Sequence, residues 1–133
     1  MNSHQQKRWH QRETVGQLFS PDLTSPTIHV SDASVLKRVK ASRTSVTFDP
    51  DEAAEQRSLK LVDGLHCIGI WHTHPEVTPT PSGTDERLAA DHASAARSVL
   101  NGLCFVIVGT GTSPGNWYVG VHDGKVFHAA RRV

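Results

Sequence analysis

Two cysteines in 133 residues are too few for a disulfide framework, and two alone cannot close a four-ligand zinc site. Cys67 and Cys104 each sit inside an apolar, strand-like run and read as small core residues. A reducing, cytoplasmic compartment is the default for such a chain. No apolar run approaches the ~18 residues that a membrane span needs. The opening segment, MNSHQQKRWHQRE, is polar and basic with no apolar stretch behind it, so no secretory signal is expected. An excess of charge of one sign is missing too: 14 Lys and Arg face 13 Asp and Glu, a net charge of +1. Electrostatic binders of nucleic acid carry a clear basic excess, so neither nucleic acid nor a membrane is expected as a partner. What remains, 37% apolar and 20% charged residues, suits one compact domain with a modest core. Histidine is what the chain has in plenty. Nine residues are roughly three times average usage for this length, and histidine is the commonest metal ligand.

Along the chain, residues 1–8 read as a polar N-terminal arm and 9–133 as one domain. Strands are expected at Thr14–Ser20, Thr27–Ser31 and Ser42–Phe48, where β-branched residues collect. Asp49-Pro50-Asp51-Glu52 marks a helix start, with Asp49 as N-cap, Pro50 in the first turn and Glu52 completing a capping box. Gly64 stops that helix. Leu65–Thr73 is the most apolar strand and the expected centre of the sheet. The loop His74–Gly83 leads into an Ala-rich helix over Thr84–Asn101, and Leu103–Val108 reads as a buried strand. After a turn at Gly109–Gly115, Asn116–His122 and Lys125–Ala129 form a hairpin across Asp123-Gly124. The order β-β-β-α-β-α-β-β-β is that of a single α/β or α+β domain with a mixed sheet.

The chemistry concentrates in Ile70-Trp71-His72-Thr73-His74-Pro75 and Ser82-Gly83-Thr84-Asp85. Side chains alternate along a strand, so His72 and His74 share a face with Cβ atoms ~7 Å apart, within reach of one metal ion. Pro75 ends the strand at the second histidine and so sets the pair at the sheet rim. Asp85, in the first turn of the next helix, can fold back over them. Two imidazoles and a carboxylate leave a fourth position open, the pattern of a catalytic zinc. Hydrolysis there needs a general base and an oxyanion donor. Ser82 is the candidate donor, and Glu13, at the opening of the first strand, the candidate base. Taken singly, each piece has a plainer reading: packing for His-x-His, a capping box for Ser82-x-x-Asp85, a solvated acid for Glu13. Glu76 is placed to compete as base or to orient a ligand. His92 reads as packing or as a contact behind a ligand, His66 as core, His122 and His128 lie outside any motif, and Trp71 and Trp117 read as sheet packing.

The whole spacing is more specific than its parts. His72-Thr73-His74-Pro75, seven residues to Ser82, then two residues to Asp85, resembles the signature of the JAMM metalloproteases, also called JAB or MPN-plus. In that family a distant Glu precedes His-x-His, seven residues, Ser, two residues and Asp. The stretch Arg12-Glu13-Thr14-Val15-Gly16-Gln17-Leu18-Phe19 is similar to the family's first strand, with Val15 where the first glycine of Glu-x-Gly-Gly is common. The resemblance covers roughly Trp9 to His128. It implies a JAB/MPN-like catalytic domain over 9–133, an α/β (α+β) fold whose mixed, curved sheet is flanked by helices in cytidine-deaminase-like layering. It also implies one Zn2+ per chain held by His72, His74 and Asp85, with Glu13 moving the proton and Ser82 steadying the oxyanion.

The activity so implied is that of a zinc isopeptidase or peptidase. It would cut the amide bond after the C-terminal tail of a ubiquitin-like protein, or of a protein conjugated through its C-terminus. The Glu-Thr-x-Gly-Gln-Leu-Phe start and Trp-His-Thr-His-Pro-Glu resemble members encoded beside E1-like and E2-like partners in bacterial conjugation and antiphage-defence operons. Processing of a sulfur-carrier protein is a second enzymatic reading. A non-catalytic MPN-type interaction scaffold is a third. A DNA-repair-associated group shares a similar segment, but with Asn between the histidines and Ser-Gly after the proline, where this chain has Thr73 and Glu76-Val77.

Overall fold

The structure is a computed structural model that describes residues 14–24, 27–41, 46–98, 100–110 and 117–130. The expected arm at 1–8 and Glu13 lie outside the described residues. The elements are β1 (Val15–Ser20), β2 (Asp32–Ala33), β3 (Val39–Ala41), β4 (Val46–Phe48), α1 (Pro50–Val62), β5 (His66–Thr73), α2 (Gly83–Ala96), β6 (Leu103–Val108), β7 (Tyr118–His122) and β8 (Phe127–Ala129). Six strands form one mixed sheet in the order β2-β1-β5-β6-β7-β8, and β3 and β4 pair separately. Among the described strands of this sheet only β5 and β6 pair in parallel, as the crossover through α2 requires. The histidine-bearing strand β5 lies inside the sheet between β1 and β6, as expected, while the wholly apolar strand is its neighbour β6, LCFVIV.

Both helices deliver their buried apolar residues to one cluster. Ala53 of α1 and Ala89 and Ala93 of α2 join Val15, Ile70, Phe105 and Ile107. A second cluster holds Leu18, Ile68, Trp71, Cys104, Val106 and Val108, with Ala33, Val35 and Trp117 packed against it. Strict alternation would put His66, Ile68, Ile70 and His72 on one face, but β5 is irregular. Leu18 pairs with Gly69 while Phe19 pairs with Cys67, so Ile68 is an extra residue, and such a bulge reverses the alternation below it. Ile68 accordingly joins the cluster of Trp71, while Cys67 lines a cavity with Ile70 and His92. Burial pushes the Cys104 thiol up to about 11 and raises Cys67 as well, which suits inert core cysteines.

The helix α1 begins and ends where the sequence signals it. Asp49 accepts from the Asp51 N–H, and Pro50 opens the first turn. At the other end Gly64, at φ 77°, donates to Leu61 O while Leu65 donates to Lys60 O, the paired bonds of a left-handed glycine stop. Glu52 does not complete a capping box. Its carboxylate instead accepts the N–H groups of Lys37 and Arg38, at 2.9–3.1 Å. With Ala53 alone buried, polar ties hold α1 down. Gln17 Nε2 donates to Ala53 O and Gln56 Oε1, Gln56 Nε2 donates to Val35 O, and Lys60 pairs with Asp32.

Four expectations shift. Residues 27–31 are not a strand: Ile28 and Val30 are exposed, and the pairing with β1 begins only at Asp32. Of Ser42–Phe48 the strand is Val46–Phe48, while 42–45 lie outside the described residues. Its partner Val39–Ala41 is too short and too polar to announce itself. The second helix stops at Ala96 rather than Asn101, because Arg97 to Gly102 turn the chain back toward β6. The last hairpin closes through four residues, not two. His122 pairs with Phe127, and the Asp123 carboxylate accepts from the N–H groups of Lys125 and Val126.

Candidate metal centre

The C-terminal end of β5 carries the histidines. His72 is 1% exposed and its ring meets Phe105 edge-on at 5.4 Å. His74 lies one residue beyond the strand, yet its N–H still donates to Val108 O of β6 at 2.9 Å. That bond keeps the pair in strand-like register, and the two rings stand 5.2 Å apart. The buried Thr73 between them faces the opposite way. Its Oγ1 accepts the Thr14 N–H, and its own N–H donates to Thr14 O, both at 2.9 Å. The residue after Glu13 is thus tied to the middle of His-x-His.

Asp85 arrives from α2. Ser82 caps this helix: its hydroxyl accepts the Asp85 N–H at 3.2 Å while Asp85 Oδ2 accepts the Ser82 N–H at 2.8 Å. The capping-box reading and the ligand reading of Ser82-x-x-Asp85 therefore hold together, since the box fixes the carboxylate where the histidines meet it. His72 Nε2 lies 2.9 Å from Asp85 Oδ1, and His74 Nε2 lies 3.4 Å from Oδ2. Burial pushes the Asp85 carboxyl up. Hydrogen bonds with His72 and His74, the His72 charge and the Ser82 N–H outweigh that and hold it well below the ordinary carboxylate range.

These three side chains offer one ligand atom each, all within 4.8 Å of one another. The chemistry of the donors fits a cation. His72 Nδ1 faces Thr73 O at 3.1 Å, and His74 Nδ1 faces Glu76 Oε1 at 2.6 Å. A carbonyl and a carboxylate can only accept, so each Nδ1 carries a proton, and Nε2 is the nitrogen each ring turns to Asp85. Two such nitrogens and a carboxylate at one point are the donor set of a cation, which binds as the Nε2 protons leave. The sequence reading named all three. It did not single out Thr73 or Phe105, whose parts depend on strand pairing that no local pattern spells out. His92 stacks on Phe48 at 5.2 Å, and burial and the Arg57 charge lower its pKa. It is packing, as expected, as is Trp71, whose indole donates to Ser34 O.

Fold and site together define a mixed α+β domain with a two-histidine, one-carboxylate centre at the rim of its central strand. The family described as prokaryotic homologs of the JAB domain matches residues 2–121, and the chain belongs to it. The fold is similar to the solution structure of protein DSY2949 from Desulfitobacterium hafniense. The TM-score is 0.70 at 19% identity, over 98% of this chain and 82% of that one. No curated protein matches the sequence. Among the described residues no helix is long and apolar enough to cross a membrane.

Proposed function

We propose that the protein is a zinc-dependent isopeptidase or peptidase. It cuts the amide bond after the C-terminal tail of a ubiquitin-like protein, or of a protein conjugated through its C-terminus. The observation that carries this reading is the convergence of His72 Nε2, His74 Nε2 and the Asp85 carboxylate at the end of β5, in a family that includes metalloisopeptidases. When bound, the zinc supplies Lewis-acid polarisation of the scissile carbonyl and a water of lowered pKa. His72, His74 and Asp85 would hold it. Glu13 takes the proton of the attacking water and hands it to the leaving amine. The tie between Thr14 and Thr73 supports this assignment, because it fixes the chain next to Glu13 beside the histidines. The Ser82 oxygen is engaged as acceptor to the Asp85 N–H, so its own O–H proton can be donated to the oxyanion. A cytoplasmic setting among E1-like and E2-like partners, in conjugation or antiphage defence, completes the proposal.

Zinc content per chain, measured on wild type and His74→Ala purified without added metal, tests the centre. Wild type should hold about one zinc and the variant little. Glu13→Ala should keep its zinc and lose cleavage of Gly-Gly-tailed ubiquitin-like fusions. No zinc in folded wild type, even after adding it back, would overturn the hydrolase and favour an interaction scaffold. Zinc without cleavage of any tailed fusion would overturn the substrate class, with release of an extension from a sulfur-carrier tail as the next assay.

A further inference from the structure

We propose that Glu76 is a positioning residue for the metal centre, setting the tautomer and orientation of the His74 ring through its 2.6 Å bond to Nδ1. The inference rests on the reading of His72, His74 and Asp85 as a metal site. The two histidines are held in different ways. The His72 ring is buried against Phe105 and bonded to Thr73 O, so packing fixes it. His74 lies past the last residue of β5, and its side chain is 16% exposed. A neutral imidazole there can carry its proton on either nitrogen and turn about its own axis. A carboxylate at Nδ1 removes both freedoms. It places a proton on Nδ1, turns Nε2 toward the point shared with His72 and Asp85, and makes Nε2 a better metal ligand.

Glu76 is itself anchored for this work. Its carbonyl accepts the Thr110 N–H at 2.7 Å. Gly109 lets the loop come this close to the end of β6, since a Cβ there would lie 2.4 Å from Glu76 O. Pro75 between His74 and Glu76 fixes one more backbone angle. The carboxylate thus starts from a rigid point although half of its side chain is in solvent, at 49% exposure. Its bond is to the ring nitrogen that faces away from Asp85. Glu76 therefore acts through His74, and the role of general base stays with Glu13.

The test uses the full chain with Glu76→Ala and Glu76→Gln. Zinc affinity is read by competition with a chromophoric chelator, and the His74 tautomer by ring 15N chemical shifts in metal-free and zinc-loaded protein. Glu76→Ala should weaken zinc binding by about 10–100-fold and shift the metal-free ring away from the Nδ1–H form. Glu76→Gln, which keeps an acceptor oxygen at the same reach, should restore most of both. Equal affinity and an unchanged tautomer in Glu76→Ala would overturn the proposal. Wild type that binds no zinc would overturn the metal site instead, and the tautomer of the metal-free protein would still decide whether Glu76 positions the ring.

Discussion

Thr73 is fully buried between the two histidines, yet its contribution is a hydrogen bond to a residue 59 positions away. Thr73→Val keeps the shape and deletes the acceptor, leaving the Thr14 N–H without its side-chain partner. The bond is only half-buried, so its loss costs about 0.5–1.5 kcal/mol, to be read as a lower denaturant midpoint. Zinc content should hold while cleavage falls, because the change loosens the chain beside Glu13 and touches no ligand. Unchanged cleavage in this variant would separate Thr14 from the base. Val15, where the family's first strand more often has glycine, is also explained at this scale. Its side chain is buried with Ile70 and Phe105, so packing absorbs the departure. The candidate ligands were legible in the sequence because His-x-His, Ser-x-x-Asp and strand alternation are local rules. Thr73 was not, because its partner is set by the pairing of β1 with β5.

Among the elements, α1 depends least on apolar burial and most on polar ties. Glu52 clamps the backbone of Lys37 and Arg38, and these N–H bonds hold its pKa below the ordinary glutamate value. A carboxylate depressed in the folded state adds stability that is complete above the unfolded pKa of about 4.3. That stability is lost as pH falls through the folded value. Glu52→Gln should therefore melt below wild type at pH 6, with the gap closing toward pH 3 in a series of thermal melts. A gap independent of pH would mean that the charge of Glu52 does not matter. The helix itself was legible, since Asp49, Pro50 and Gly64 act within their own turns. The target of Glu52 was not, because a capping box and a clamp on a distant loop use the same residue.

Across the whole molecule, the core and the metal centre share side chains. Phe105, fully buried on β6, contacts the His72 ring and Phe127, each at 5.4 Å. Phe105→Ala should cost about 3–5 kcal/mol of stability in chemical denaturation. It should also weaken zinc binding, because the ring that packs His72 is gone. Full zinc affinity in this variant would mean that the site is held by its hydrogen bonds alone.

The sequence by itself determined the candidate cation donors, the capped ends of α1, the start of α2 and the class of fold, because short-range rules of alternation, capping and spacing govern all of these. Tertiary structure decided that Ile68 leaves the face of Ile70, that Val39–Ala41 finds a partner, and that α2 stops at Ala96. It also brought Asp85 to within 2.9 Å of His72 and tied Thr14 to Thr73. Each of these depends on which distant strand lies alongside, a choice made by the packing of the whole sheet rather than by any one segment.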